Sequence, residues 1–360
     1  MVNLKKINSI IQNFKIASVC TAFSELQFGH INDTYLITTP TNKQFVLQKT
    51  NTEVFKNIEA VFHNKQLLNI FLESKKNQLN YKFVSYISTY SDSLIYKDDS
   101  NNYWSLMLFI KDSKTIIIAE NKNTVFEAGK LYGDFLYQTN SLDITKFKDI
   151  IQDFHSVPFR LFEFKKALKN TIIDVKPVQV ILDTISNYRS EMCILSGLIE
   201  TNKLPLRLTH NDTKLSNILF DSTNKGIAVI DLDTLMPGIV HFDFGDAIRS
   251  ICSTAKEDER DLDTVKIKLD FYEYFCKGYA YYTKDILQPI EIEYLPLAIK
   301  TMIYIMGLRF FTDYLNGNIY YKIEYTEHNL IRAKNQFKLL ESVSDNYDQI
   351  VNITQKYFSK

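Results

Sequence analysis

Apolar positions along this chain follow two rhythms. Over residues 3–13 they recur at three- and four-residue spacing and predict a helix, whereas residues 23–39 and 44–48, rich in aromatic and branched side chains, predict strands. Helical spacing returns over residues 54–73. Residues 81–88, 93–96 and 103–109 then read as three further short strands broken by turn-forming residues. The first part of the chain is therefore sheet-rich. From about Thr124 the helical rhythm takes over, in residues 126–138, 178–200, 264–282 and 297–314. Only three short strands interrupt it, at 206–208, 218–220 and 227–230. The pattern predicts an α+β fold in two lobes, residues 1–110 and 111–360, meeting near Ile110-Lys111-Asp112-Ser113. No repeat or low-complexity tract is present.

Composition narrows the class. A chain of 360 residues suits two lobes better than one core, and 45% hydrophobic with 23% charged residues describes a globular protein. Lys plus Arg equals Asp plus Glu at 42 each, so no net field draws the chain to nucleic acid or an anionic membrane. Cys20, Cys193, Cys252 and Cys276 form no C-x-x-C pair, which argues against a disulfide framework or zinc site and predicts buried thiols in a reducing compartment. The N-terminal apolar run is broken by Asn and Gln, unlike a signal peptide, so a cytoplasmic protein is expected. Residues 295–315 approach membrane-spanning length but carry Lys300, Arg309 and Asp313, and predict a core helix instead.

The candidate chemistry lies in Thr209-His210-Asn211-Asp212-Thr213-Lys214-Leu215-Ser216-Asn217. Phosphoryl transfer in a kinase needs a carboxylate to orient and deprotonate the attacking hydroxyl, an amide oxygen on the metal, and a second carboxylate bridging metal and nucleotide. Asp212-x-x-x-x-Asn217 repeats the internal spacing of the kinase catalytic loop. The third group is expected after the next strand, where Ala228-Val229-Ile230 runs into Asp231, with Asp233 two residues on. His210 is expected to support the loop. Downstream, Asp243-Phe244-Gly245 spells the kinase D-F-G, but it follows Pro237-Gly238 and a second short segment, so Asp231 is the expected metal ligand. Asp243 or Asp246 is expected to cap a helix start.

These residues, with Phe28-Gly29-His30-Ile31-Asn32-Asp33-Thr34-Tyr35, Phe45-Val46-Leu47-Gln48-Lys49, Asp153-Phe154-His155 and 307–315, resemble the aminoglycoside phosphotransferase and choline kinase-like superfamily. Within it the chain looks most like the N-acetylhexosamine 1-kinases. The resemblance implies a bilobal protein-kinase-like fold, ATP and magnesium (Mg2+) as cofactors, Asp212 as base, and Asn217 and Asp231 as magnesium ligands. It also implies a sugar 1-phosphate product made from N-acetylglucosamine or N-acetylgalactosamine. His30 and Asp33 become candidate sugar contacts, as does Arg309.

Two departures from kinase expectation stand out. Gly29 is the one glycine before residue 128, so polar side chains, Asn32, Asp33 and Thr34, are expected to help cover the phosphates. The strand lysine position holds Gln48, with Lys49 next to it on the opposite face unless a bulge intervenes. Glu59 is the expected partner of either. Arg309, in an apolar helix, needs a partner: Asp313 four residues on, or the sugar, or both. Tyr314 and Phe154-His155 are further candidates for substrate contact. Rival readings are a kinase of choline, an aminoglycoside, homoserine or another small alcohol, and a nucleotide-binding pseudokinase acting as an interaction module. A protein kinase is not expected, because no activation segment follows Asp231 and residues 254–263 form a charged, solvated stretch. No obligate protein partner is expected.

Overall fold

The computed structural model describes residues 2–26 and 31–359. It has the bilobal protein-kinase-like fold, with two compact units: one takes residues 1–116, 145–151 and 216–236, the other residues 117–144, 152–215 and 237–360.

In the first unit, helix α1 (Leu4–Ile11) starts at Asn3, whose side chain accepts the Lys6 N–H at 2.9 Å. It packs Ile7, Ile10 and Ile11 on Tyr35, Ile37, Phe45, Leu47, Trp104 and Leu106, the inward positions of an antiparallel sheet. That sheet is built from β1 (Ala22–Glu25), β2 (Asp33–Thr38), β3 (Gln44–Thr50), β4 (Tyr86–Ile87), β5 (Tyr96–Lys97) and β6 (Tyr103–Leu108). Its order is β1-β2-β3-β6-β4, with β5 also on β6. Helix α2 (Ile58–Lys75) runs between β3 and β4 in sequence and is capped by Asn57. A second sheet joins β7 (Lys114–Thr115) to the strands Ile218–Phe220 and Gly226–Val229.

The strand expected at 23–39 is thus two arms of a hairpin, Glu25 standing opposite Tyr35. Aromatic and branched residues run through both arms, so residue type alone does not separate them. Of residues 81–88 only Tyr86 and Ile87 join the main sheet; Lys82 donates to the Ile227 carbonyl instead, at 2.8 Å.

The second unit is helical: α3 (Lys122–Thr139), α4 (Val157–Asn170), α5 (Gln179–Met192), α6 (Ile194–Glu200), α7 (Val240–Ile251), α8 (Leu269–Thr283), α9 (Pro289–Leu315), α10 (His328–Asp345) and α11 (Tyr347–Phe358). Gly129 and Gly278 let α3 and α8 meet backbone to backbone, since a Cβ at either would overlap a carbonyl of the other helix. The helix expected over 178–200 breaks at Cys193 into α5 and α6. The expected core helix begins earlier, at Pro289, where Glu291 accepts the Gln288 N–H at 2.8 Å. Although long and apolar enough to cross a membrane, α9 has its most apolar window 89% buried within the protein. Its Lys300 is neutralised by Glu191 at 2.5 Å.

Candidate active site

The loop after the strand Arg207–Thr209 is held from beneath. The Asp243 carboxylate accepts the His210 N–H on one oxygen at 2.8 Å and the Asn211 N–H on the other at 2.7 Å. The Thr213 hydroxyl donates to the Asp243 carbonyl at 2.5 Å. His210 is fully buried, edge-on to the rings of Tyr132 and Phe135 on α3, and its Nδ1 accepts the Asp212 N–H at 3.3 Å. These bonds turn the half-buried Asp212 outward, and Asn211 takes φ +63° to make the turn. Lys214 Nζ lies 2.8 Å from Asp212 Oδ2.

The letters D-F-G each have structural work in this unit. Asp243 anchors the loop, and burial pushes its carboxyl up to about 6 although His210 and the two amides pull the other way. Phe244 sits among Tyr272, Phe275, Tyr279 and Phe358. A Cβ on Gly245 would strike the Ala298 carbonyl of α9. The helix start expected at Asp243 or Asp246 lies earlier, at Val240. Asp243 therefore serves the loop rather than its own helix, and Asp246 pairs with Arg249 at 2.8 Å.

In the first unit, Asn217 and Asp231 come together because the strands they flank are paired. Ile218 stands opposite Val229, and the Ile230 N–H donates to the Asn217 carbonyl at 2.9 Å. Asn217 is buried and Asp231 exposed, the latter in left-handed backbone at φ 63°, a conformation that Asp tolerates better than most residues. Among the described residues no three His, Cys, Asp or Glu side chains converge on one cation position. An amide oxygen and one carboxylate fit magnesium, which binds through one or two carboxylates together with substrate phosphates.

Asp233 points elsewhere. Its carboxylate bonds the buried Lys65 ammonium of α2 on one oxygen and the Asn32 side-chain amide on the other. Lys65 also lies over the rings of Phe62 at 4.9 Å and Tyr86 at 5.6 Å. Burial pulls its ammonium down, but Asp233 outweighs burial and holds it above the ordinary lysine value. Asn32 accepts the Asn51 N–H at 2.9 Å.

Gly29 and His30 lie outside the described residues. The β2–β3 register is unbroken, Asp33 opposite Lys49 and Thr34 opposite Gln48, so no bulge brings Gln48 and Lys49 to one face. Lys49 pairs with Asp33, and the Gln48 amide lies 3.5 Å from the Thr34 hydroxyl. Glu59 is exposed and is not the partner expected for either residue. The buried cation of α2 is Lys65, one turn and a half further on, where no sequence reading placed a functional group.

In the second unit the Arg309 guanidinium lies over Phe154 at 5.1 Å, Tyr321 at 5.6 Å and Tyr320 at 5.7 Å, with Met306 Sδ at 3.7 Å. The pair expected with Asp313 does not form. Asp313 instead accepts the backbone N–H groups of Ile319, Tyr320 and Tyr321, and the Asn329 amide, at 2.9–3.0 Å. Tyr314 stacks on Phe311 at 6.5 Å. His155 is buried between Phe154 and Phe242, and burial, then Arg309 and Arg160, hold it neutral, well below the ordinary histidine range, although the Asn211 backbone pulls the other way. Asp212 acts on the same imidazole, so Arg309 and the candidate base lie within electrostatic reach of one ring.

The sequence reading passed over Lys65, Lys214 and the anchoring role of Asp243. Only Lys214 carried a signal, two residues after Asp212 in the same motif.

Residues 121–268 match the phosphotransferase enzyme family, a segment that contains the whole motif from His210 to Asp246. Three solved structures are similar over most of their length. A microcompartment-associated aminopropanol kinase has a TM-score of 0.66 at 12% identity, covering 97% of this chain and 99% of that one. A spectinomycin phosphotransferase complexed with ADP and spectinomycin has a TM-score of 0.59 at 12% identity, covering 97% and 99%. An ethanolamine kinase from Plasmodium vivax has a TM-score of 0.55 at 14% identity, covering 88% and 82%. At these identities the likeness is one of fold, and the family match over residues 121–268 agrees with the superfamily expected from the sequence.

Proposed function

We propose, from the premise of a phosphotransferase-family segment on a kinase-like fold, that this chain is a cytoplasmic small-molecule kinase that moves the γ-phosphoryl group of ATP to the anomeric hydroxyl of an N-acetylhexosamine. Asp212 takes the hydroxyl proton as the oxygen attacks phosphorus, and its anchored loop supports that role. An anomeric hydroxyl is more acidic than an ordinary alcohol, which lightens the task of the base. Asn217 and Asp231 would hold magnesium, which neutralises charge on the phosphate oxygens. Asn32, Thr34, Gln48, Lys49 and Gly29 remain candidate nucleotide contacts, and His30, Asp33 and Tyr314 candidate sugar contacts. Asp313 acts indirectly, by shaping the loop that carries Tyr320 and Tyr321.

The observation that carries the acceptor class is Arg309. No carboxylate pairs with it among the described residues, and three aromatic faces hold it. A standing cation in an aromatic surround repels choline, amino alcohols and aminoglycosides, while its remaining N–H donors suit a neutral acceptor rich in oxygen. Aromatic faces suit a sugar ring.

The test is ATP consumption with Mg2+ across N-acetylglucosamine, N-acetylgalactosamine, glucose, galactose, choline, homoserine and kanamycin, with the phosphate position read by phosphorus NMR. A 1-phosphate formed only from the N-acetylated sugars is expected. Turnover of choline or kanamycin alone would overturn the acceptor and keep the chemistry. Nucleotide binding without turnover would favour a pseudokinase.

A further inference from the structure

In protein kinases a strand lysine pairs with a helix glutamate, and that pair must be in place for catalysis. Here the strand position holds Gln48, and the corresponding helix presents a buried lysine to a carboxylate of the turn that follows Asp231. We propose that Lys65 is a positioning residue for the metal-binding turn: its ion pair with Asp233, shared with Asn32, fixes where Asp231 presents its carboxylate. The inference rests on the kinase reading above, since it assumes that Asp231 meets a metal–nucleotide complex.

Three observations carry it. First, both oxygens of Asp233 are engaged, one by Lys65 and the other by Asn32, and the side chain is buried. Of the two carboxylates in Asp231-Leu232-Asp233, Asp231 is the exposed one. Second, α2 grips this turn at two points. Asn64, next to Lys65, donates to the Leu235 carbonyl at 2.8 Å and to the Lys148 carbonyl at 2.7 Å. The helix therefore holds residues 233 and 235 while Asp231 sits just before them in a left-handed conformation, φ 63°. Third, Asn32 ties the same carboxylate to the start of the β2 arm and to Asn51 at the end of β3. The start of β2, the end of β3 and the turn after Asp231 are thus joined through one side chain. A buried charge pair with no such task is replaceable by neutral residues of similar shape at little cost, which gives a way to separate holding the fold from holding the metal.

The experiment compares wild type, Lys65→Met, the double variant Lys65→Met/Asp233→Asn, and Asn32→Ala. Each is measured by thermal unfolding and by the affinity for ADP with Mn2+ and with EDTA, the ratio reporting metal coupling alone. Lys65→Met should lower Tm sharply because it strands a buried carboxylate, and the neutral double variant should recover most of that loss. The metal-dependent gain in ADP affinity should nevertheless fall about tenfold or more in the double variant and severalfold in Asn32→Ala, the size expected for partners that orient a metal ligand. A direct loss of an ADP contact would lower affinity equally with EDTA and leave the ratio unchanged. If the double variant keeps the wild-type ratio, Lys65 is structural only and the proposal falls; if that variant does not fold, an unchanged ratio in Asn32→Ala overturns it equally. Should wild type bind ADP no better with Mn2+ than with EDTA, the kinase reading itself is sunk, and the proposal with it.

Discussion

The two units hold their presented carboxylates by different means. In the helical unit the loop of Asp212 is held by backbone: a half-buried acid, Asp243, collects the amides of the two residues before it. In the sheet-rich unit the anchor is a charge pair: a buried acid, Asp233, two residues after Asp231, is clamped by a buried lysine and an amide. Each of the two candidate acids thus has an anchoring counterpart further along the chain. What distinguishes the candidate catalytic and metal-binding carboxylates from the anchoring ones is their partner set, which motif spelling does not report. The anchor of the candidate catalytic loop even spells D-F-G.

Breaking the comparison at its presented ends should cost chemistry and spare the fold. The largest effect is expected for Asp212→Asn, with turnover lower by about 10²–10⁴-fold and ADP affinity retained, as for loss of a general base. Loss of ADP binding instead would show that Asp212 is not the base. Breaking it at the anchors should cost stability. Asp243→Ala strands two amides and should lower unfolding free energy in urea by about 3 kcal/mol while the Mg2+ concentration for half-maximal rate stays put. Asp231→Asn, at an exposed left-handed position that Asn also tolerates, should do the reverse, with stability within about 0.5 kcal/mol of wild type and Mg2+ saturation strongly weakened. Equal metal effects from the two would refute the assignment of roles.

Arg309→Met sharpens the comparison on the acceptor side. It should raise the acceptor KM about tenfold or more, corresponding to ~1.5–3 kcal/mol for a charged hydrogen bond, without lowering Tm. A fall in Tm with unchanged KM would make Arg309 a packing residue. The smallest effect concerns Asp134 on α3, which is buried and whose one side-chain donor among the described residues is Gln138, at 3.2 Å. Burial pushes its carboxyl up to about 6 from 3.8, against Gln138 and Lys130. A raised folded-state value means that the contribution to stability is present below about pH 4 and lost as pH rises through about 6. Asp134→Asn should therefore match wild type near pH 4 and exceed it by about 1–2 kcal/mol at pH 8 in urea unfolding. Opposite signs for Asp134→Asn and Asp243→Ala at pH 8 would confirm that a buried acid is tolerated here for the bonds it makes.

Much of the architecture was legible because it rests on local rules. The helical rhythm of the second unit and the strand-rich first unit follow from periodicity, and the edges that were missed, such as the turn inside 23–39 and the break at Cys193, are places where residue type or periodicity continues through a change of direction. Helix α4 had its start signal, Ser156 followed by a proline in the first turn, yet its weakly segregated faces hid it. At the candidate site, the spacing from Asp212 to Asn217 and the carboxylate after an apolar strand are local facts. The Arg309–Asp313 pair was a sound local inference too, four residues apart on one helix, and it failed because three backbone amides of the following loop compete better for that carboxylate.

By itself, then, the sequence determined the order of the candidate catalytic groups, the class of fold that carries them, and the lack of a glycine-rich cover or strand lysine. Only the tertiary structure decided that Asp243 and Asp233 are anchors, that Lys65 is the buried cation of the first unit, and that Arg309 keeps to aromatic faces. The reason is separation: Asp243 meets its amides 32 and 33 positions away, and Lys65 meets Asp233 across 168. A buried charge is acceptable only where folding delivers its partner, and no window of neighbouring residues contains that information.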